Sequence, residues 1–207
     1  VTGEREAAPA ERLVLASASP RRRDLLSRLG LDFEVRPVDA DETPRAGEPP
    51  EALALRLARA KAAAAARPGE IVIGADTVVA VDGELLGKPG DAAEAELMLR
   101  RLSGRRHEVW TGVAVLRCLP SGESGHEIAR ACRTEVSFRG LGEQEIAAYA
   151  ATAEPLDKAG AYAIQGGAAG FVERVDGDYD NVVGLPLALV RRLLEEIGFA
   201  GALSRRT

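Results

Sequence analysis

The chain has 207 residues, of which 46% are hydrophobic and 29% charged, with a formal net charge of -5; this is enough apolar content for one compact domain with a full core. The negative balance and the 4% aromatic content argue against a charge-driven or base-stacking grip on nucleic acid. No apolar run reaches the roughly 18 residues of a membrane span, and the opening VTGEREAAPAER lacks the apolar segment expected of a secretory leader.

Residues 1–11 read as a flexible, alanine- and charge-rich lead-in to a single domain over 12–207. Arg12-Leu13-Val14-Leu15-Ala16 predicts a short buried strand. Ser19-Pro20 then supplies an N-cap and a first-turn proline for a helix through Leu25, Leu26 and Leu29 that stops at Gly30. A second strand is expected over 33–36, an acidic loop over 38–49, and a long alanine-rich helix from Pro50 to just before Pro68-Gly69. Ile71-Val72-Ile73 predicts a strand that breaks at Gly74-Ala75-Asp76-Thr77 and resumes over 78–81. Asp82-Gly83 turns it into a hairpin through Leu85-Leu86. Asp91 with Glu94 resembles a capping box opening a helix through Leu97, Leu99 and Leu102. Long strands over 109–116 and 128–138 flank a loop over 120–125, and a short helix covers 143–151. Short strands over 162–165 and 171–175 and a final helix over 186–197 complete an α/β pattern.

Two cysteines, Cys118 and Cys132, are too few for a disulfide framework and are expected to stay reduced, although they flank a hairpin loop and could approach each other. With only two histidines, a bound metal would be a hard cation held by oxygen.

Several residues run against local rules. Arg21-Arg22-Arg23 sits in a first helical turn, where the dipole already favours anions. The triplet either joins Ser19 and the free backbone N–H groups in an anion site, or is solvated and paired with Asp24 and the acidic loop. Asp76 interrupts an apolar strand and needs a cation, a metal or several donors, unless it merely caps a bend at Gly74. Lys61 follows Leu53 and Leu57 at steps of four, at the edge of an apolar stripe, where a lysine can also simply snorkel. Lys88 stands between glycine and proline at the end of the hairpin. Glu42 lies in an acidic loop that by itself reads as solvated surface. Together the cations could bind a polyphosphate, and Glu42 and Asp76 could hold a divalent cation or activate water.

Motifs across 12–197 occur in one order: Leu15-Ala16-Ser17-Ala18-Ser19-Pro20-Arg21-Arg22, Arg56-Leu57-Ala58 with Lys61, Gly74-Ala75-Asp76-Thr77-Val78, Gly87-Lys88-Pro89, Leu102-Ser103-Gly104, Asp157-Lys158-Ala159-Gly160-Ala161-Tyr162 with Ile164-Gln165-Gly166, and Val183-Gly184-Leu185-Pro186. In these the chain resembles the Maf family of nucleoside triphosphate pyrophosphatases, once named for inhibition of septum formation. The resemblance implies a two-lobed, mixed-sheet α/β fold with helices outside and a cleft between lobes, similar to inosine triphosphate pyrophosphatases. It implies metal-dependent (Mg²⁺ or Mn²⁺) hydrolysis to the monophosphate and pyrophosphate in nucleotide-pool housekeeping, by a cytoplasmic homodimer. It puts the family's functional positions on Ser19, Arg22, Glu42, Lys61, Asp76 and Lys88, with Asp76 as proton acceptor and Glu42 and Asp76 at the metal. Base choice falls on Arg21, Thr77 and Gln165, a set resembling the subgroup that acts on dTTP and UTP. The rival expectation is a non-catalytic nucleotide sensor acting in cell division, which would not need both carboxylates.

Overall fold

The computed structural model describes residues 11–121 and 124–199; most of the lead-in, part of the loop over 120–125 and the end of the chain lie outside the described residues. In chain order the elements are β1 (Arg12–Ala16), α1 (Pro20–Ser27), β2 (Glu34–Val35), α2 (Pro50–Ala65), β3 (Glu70–Val81), β4 (Glu84–Leu86), α3 (Ala92–Leu102), β5 (Arg106–Cys118), β6 (Ser124–Phe138), α4 (Glu143–Ala150), β7 (Val172–Asp176), α5 (Tyr179–Val183) and α6 (Leu187–Glu196). The described strands form one mixed sheet in the order β2-β1-β3-β5-β6-β7, with β4 on β3.

The sheet forks at β3. Strand β5 runs antiparallel along one edge of β3, from Ile71 opposite Arg117 to Ala80 opposite Glu108. The other edge is shared. Parallel β1 pairs with it as far as Gly74, and antiparallel β4 takes over from Val79. Residues 75–78 therefore have a neighbouring strand on one side only. The opening between β1 and β4 separates two lobes, and Asp76 and Thr77 stand in it. The expected break in this strand does not occur. The ladder to β5 continues through Asp76 opposite Gly112 and Thr77 opposite Thr111, so the polar residues mark a gap on one edge and no bend in the strand.

Side chains alternate between the two faces of a strand. Val72, Gly74, Asp76 and Val78 face α2, while Ile71, Ile73, Ala75 and Val79 join the larger core with α1, α3, α4 and α6. Helix α2 buries Leu53, Ala54, Leu57, Ala58, Lys61, Ala62 and Ala65. Its alanines let it ride close over the sheet. A Cβ on Gly74 would lie 2.1 Å from the Ala58 carbonyl oxygen, and one on Gly112 2.3 Å from that of Ala54. Lys61 occupies a core position of this stripe and not its edge. Arg36, beyond β2, locks the far end of α2 by donating to the Ala65 carbonyl at 2.6 Å and to both oxygens of buried Glu70 at 2.7 and 3.0 Å.

Local signals behave as their chemistry requires. Ser19 caps α1, accepting from Arg22 N–H at 3.4 Å. Asp91 caps α3, while the Glu94 carboxylate reaches back to Gly90 N–H at 2.7 Å, one residue beyond a capping box. Residues 162–165 form no strand. The chain leaves the 3-10 turn Ala159–Ala161 and turns again at 164–166, closed by Gly166 N–H on the Ala163 carbonyl. Leu97 faces solvent while Leu99 and Leu102 are buried. The cysteines do not approach each other: Cys118 faces Ser124 across the hairpin and Cys132 faces Thr111. No described helix is long and apolar enough to cross a membrane.

Candidate active site

A cleft of about 1100 Å³ opens at the fork of the sheet, at the upper end of the range for small-molecule sites. Ser19, Arg21, Arg22, Glu42, Lys61, Asp76, Thr77, Lys88 and Gln165 all line it. These nine candidate residues are thus brought to one cavity by six separate segments.

The centre of the cleft is a chain of alternating charges. Lys61 Nζ donates to Asp76 Oδ1 at 2.5 Å and to Glu42 Oε1 at 2.7 Å. Lys88 Nζ donates to Glu42 Oε2 at 2.8 Å. Lys61 and Asp76 are buried, at 8% and 7% exposure. Lys61 is therefore no snorkelling lysine, and Asp76 has the cation that a buried carboxylate requires. Each partner is placed by its backbone. Asp76 is on the α2-facing side of β3, and the close ride of α2 brings Lys61 down onto it. Arg56 on α2 clamps the acidic loop, donating to Glu48 at 2.7 and 2.8 Å and to the Thr43 carbonyl at 3.0 Å, and this holds Glu42 over Lys61. Lys88 is steadied by Gly160 N–H on the adjacent Gly87 carbonyl at 3.0 Å.

The arginine triplet divides its work. Arg22 reaches under the cleft floor, Nε donating to the Gly184 carbonyl at 2.8 Å and Nη2 to Thr77 Oγ1 at 3.1 Å. Burial lowers the Arg22 pKa, and the charges of Asp76 and Glu42 oppose that shift; it stays a cation. Arg21 lines the cleft. Burial raises the Asp157 carboxyl, but the Lys158 hydrogen bond and, at longer range, Arg21 pull it below its ordinary value. Arg23 points away and pairs with Asp24 at 2.9 Å, so the solvated reading holds for that arginine. Gln165 stands exposed at the rim. Tyr162 contributes to the wall, whereas Tyr179 is on the surface outside it.

The family described as Maf-like protein matches this chain over residues 12–197. The chain belongs to the Maf-like protein family. A "dTTP/UTP pyrophosphatase" of Anaeromyxobacter dehalogenans (strain 2CP-C) is 56% identical over 190 residues, covering 92% of this chain and 96% of the relative. One of Myxococcus xanthus (strain DK1622) is 54% identical over 188 residues, covering 90% and 92%. Among solved structures, the Ham1 protein of Staphylococcus aureus aligns with a TM-score of 0.49 at 18% identity, over 90% of this chain and 100% of that chain.

This Maf-like protein also lines its cleft with residues to which sequence reasoning gave no role. Lys158 sits in the wall, donating to the Glu154 carbonyl at 3.0 Å and to Asp157. Behind the wall, Thr111 and Asn181 are fully buried and hydrogen-bonded to each other. The only sequence signal for Thr111 was a polar residue inside an apolar strand; Asn181 carried none.

Burial raises the Glu42 carboxyl, but the hydrogen bonds from Lys61 and Lys88 outweigh it and hold its pKa at about 2, against 4.5 ordinarily. A carboxyl depressed in the folded state stabilises fully above its unfolded value, and that stability fades as pH falls toward the folded value. Glu42→Gln is therefore expected to destabilise at pH 7 by about 1 kcal/mol or less, solvent screening considered. The deficit should shrink as pH drops from 4.5 toward 2. Thermal melts of both proteins at pH 7 and pH 3 check this; a deficit that grows in acid contradicts it.

Proposed function

We propose that this Maf-like protein hydrolyses nucleoside triphosphates, dTTP and UTP foremost, to the monophosphate and pyrophosphate. The observation that carries the reading is the single cleft in which a buried carboxylate, Asp76, meets Lys61, Lys88 and Arg22 around one open strand edge. The names of the relatives support the choice of pyrimidine substrates.

In this reading the triphosphate lies along the start of α1, and Arg22, Lys61 and Lys88 carry its negative charge. Asp76 takes a proton from a water as that water's oxygen bonds to the α-phosphorus. The bond from the α-phosphorus to the bridging oxygen breaks in line, and the electron pair leaves with pyrophosphate. Arg21, Thr77 and Gln165 act on base choice. Ser19 keeps the α1 N-terminus in shape as its cap, at the cleft wall.

A divalent cation fits the donor set. Glu42 and Asp76 are hard oxygen donors from different segments that meet on one ammonium. No group of three or more His, Cys, Asp or Glu side chains able to hold a metal occurs among the described residues. A cation would thus be shared between these two carboxylates, phosphate oxygens and water, as Mg²⁺ commonly is. When bound, it would supply Lewis-acid neutralisation of the phosphate charge.

A panel of triphosphates assayed for pyrophosphate and for orthophosphate tests the reading. Pyrophosphate from dTTP and UTP, at rates at least about 10-fold above those for purine triphosphates, is the expected result. Orthophosphate as the first product would indicate a different phosphohydrolase, and faster turnover of 7-methyl-GTP would overturn the pyrimidine assignment. Tight nucleotide binding without any product would favour a sensor.

A further inference from the structure

Thr77 on the cleft wall is the first member of a buried hydrogen-bonded relay. Its Oγ1 lies 2.8 Å from Thr111 Oγ1, and Thr111 Oγ1 lies 3.1 Å from the Asn181 carbonyl oxygen. Thr111 and Asn181 have no exposed surface. The direction of this relay follows from what each group can do. A carbonyl only accepts, and a threonine hydroxyl has one proton and two lone pairs. The Asn181 carbonyl is in the short helix α5, where the next backbone N–H groups, of Gly184 and Leu185, go to Asp180 instead. Thr111 supplies the donor that this buried carbonyl needs, since leaving it unpaired is costly. The single proton of Thr111 is committed there, so Thr111 can only accept from Thr77. The proton of Thr77 consequently points inward, away from the cleft.

On its other side Thr77 accepts from Arg22 Nη2 at 3.1 Å. Arginine donates and never accepts. One lone pair of Thr77 is left for a ligand, and no proton. We infer that Thr111 is a positioning residue that fixes Thr77 as an acceptor-only group, directed at an N–H or O–H donor on the nucleoside half of the substrate. Phosphate oxygens are themselves acceptors and are excluded as its partner. The inference rests on the pyrophosphatase reading above and narrows it. Thymine and uracil nucleotides share two such donors, the imide N3–H of the base and the 3′-hydroxyl of the sugar. Cytosine has an acceptor in place of that N3–H.

The test measures kcat/KM for UTP, CTP and 3′-deoxy-UTP with the native protein, Thr111→Val and Thr111→Ser. The native protein is expected to favour UTP over CTP, if the base donor meets Thr77, or over 3′-deoxy-UTP, if the sugar donor does, by at least about 10-fold. Thr111→Val frees the Thr77 proton to turn toward the cleft, and should narrow that preference by about 10-fold. Thr111→Ser keeps the hydroxyl and should restore it, which a merely space-filling role for Thr111 would not require. Thr77→Val, at the cleft surface, should narrow the same preference by removing the acceptor, and it serves if Thr111→Val fails to fold. Native-like preference in Thr111→Val or in Thr77→Val, equal loss in Thr111→Ser, or no native preference against either analogue overturns the inference. A native protein that turns over none of the three overturns the pyrophosphatase reading beneath it.

Discussion

Asp76→Asn is expected to lower pyrophosphate release from UTP by about 10²–10⁴-fold, the usual contribution of a positioned general base, with the fold retained. The substitution keeps the shape of the side chain and removes its charge and its basicity. Three features predict that the structure survives. The backbone of residue 76 still pairs with Gly112 on β5. The amide oxygen of asparagine still accepts from Lys61. Lys61 also keeps Glu42 at 2.7 Å, so no buried ammonium is left without a carboxylate, the situation that makes the breaking of buried ion pairs so costly. The melting temperature should therefore fall by only a few degrees, roughly 1–2 kcal/mol for a chain of this size. Pyrophosphate assays and a thermal melt on the same sample separate the two effects. Undiminished turnover in the folded variant would exclude Asp76 as proton acceptor. Loss of turnover accompanied by unfolding would show that the carboxylate is needed first for the structure.

The sequence made the local elements legible because their signals are local. Ser19-Pro20, Asp82-Gly83 and Asp91 act on the backbone within a few residues, and the structure shows each as a cap or a turn. The candidate site residues were legible as violations of pattern: a carboxylate in an apolar strand, a lysine in an apolar stripe, arginines at a positive helix end. Their pairing was not legible, because Lys61 with Glu42 and Asp76 depends on how closely α2 lies on the sheet. The reading of Gly74–Thr77 as a strand break was wrong, since β3 runs unbroken there, although the same residues lie where one edge of the strand loses its neighbour. Polar residues usually end a strand, yet here one edge keeps its ladder to β5 while the other opens where β1 gives way to β4. That exchange of neighbours is a property of topology: Asp76 and Thr77 mark its place, but nothing in β3 itself says which strands flank the opening. Residues 162–165 read as a strand; instead, tertiary packing of Tyr162 against Phe138 and His107 buries 162–164, and the chain turns over 164–166 with Gln165 exposed.

Gly74→Ala is expected to be among the most damaging small substitutions at the described residues, because it acts on the height of α2 above the sheet. The added Cβ would sit 2.1 Å from the Ala58 carbonyl oxygen and 2.6 Å from the Ala62 nitrogen. Both obstacles are backbone atoms within a helix, so no rotamer change relieves the clash and the helix must lift. Lifting opens the cluster of Val14, Ala16, Ala58, Ala62, Val72 and Ala114, and draws Lys61 off Asp76, now at 2.5 Å. Overpacking of this kind costs about 1–3 kcal/mol, and more when the backbone must move. For a chain of this length 1–3 kcal/mol corresponds to a fall in melting temperature of about 2–12 °C. Turnover should fall alongside stability, because the same movement separates the ammonium from the carboxylate it accompanies. Trimming the neighbouring side chain supplies the discriminating control. If the clash were with side chains, Gly74→Ala combined with Ala62→Gly would recover stability, since the Ala62 Cβ lies 3.0 Å from the added atom. With the carbonyl of residue 58 as the main obstacle, the double variant should recover nothing and lose further helix propensity of roughly 1 kcal/mol. A fully restored melting temperature in the double variant would show that α2 is held off the sheet by its side chains, and that the backbone-to-backbone approach does not set the geometry of the cleft.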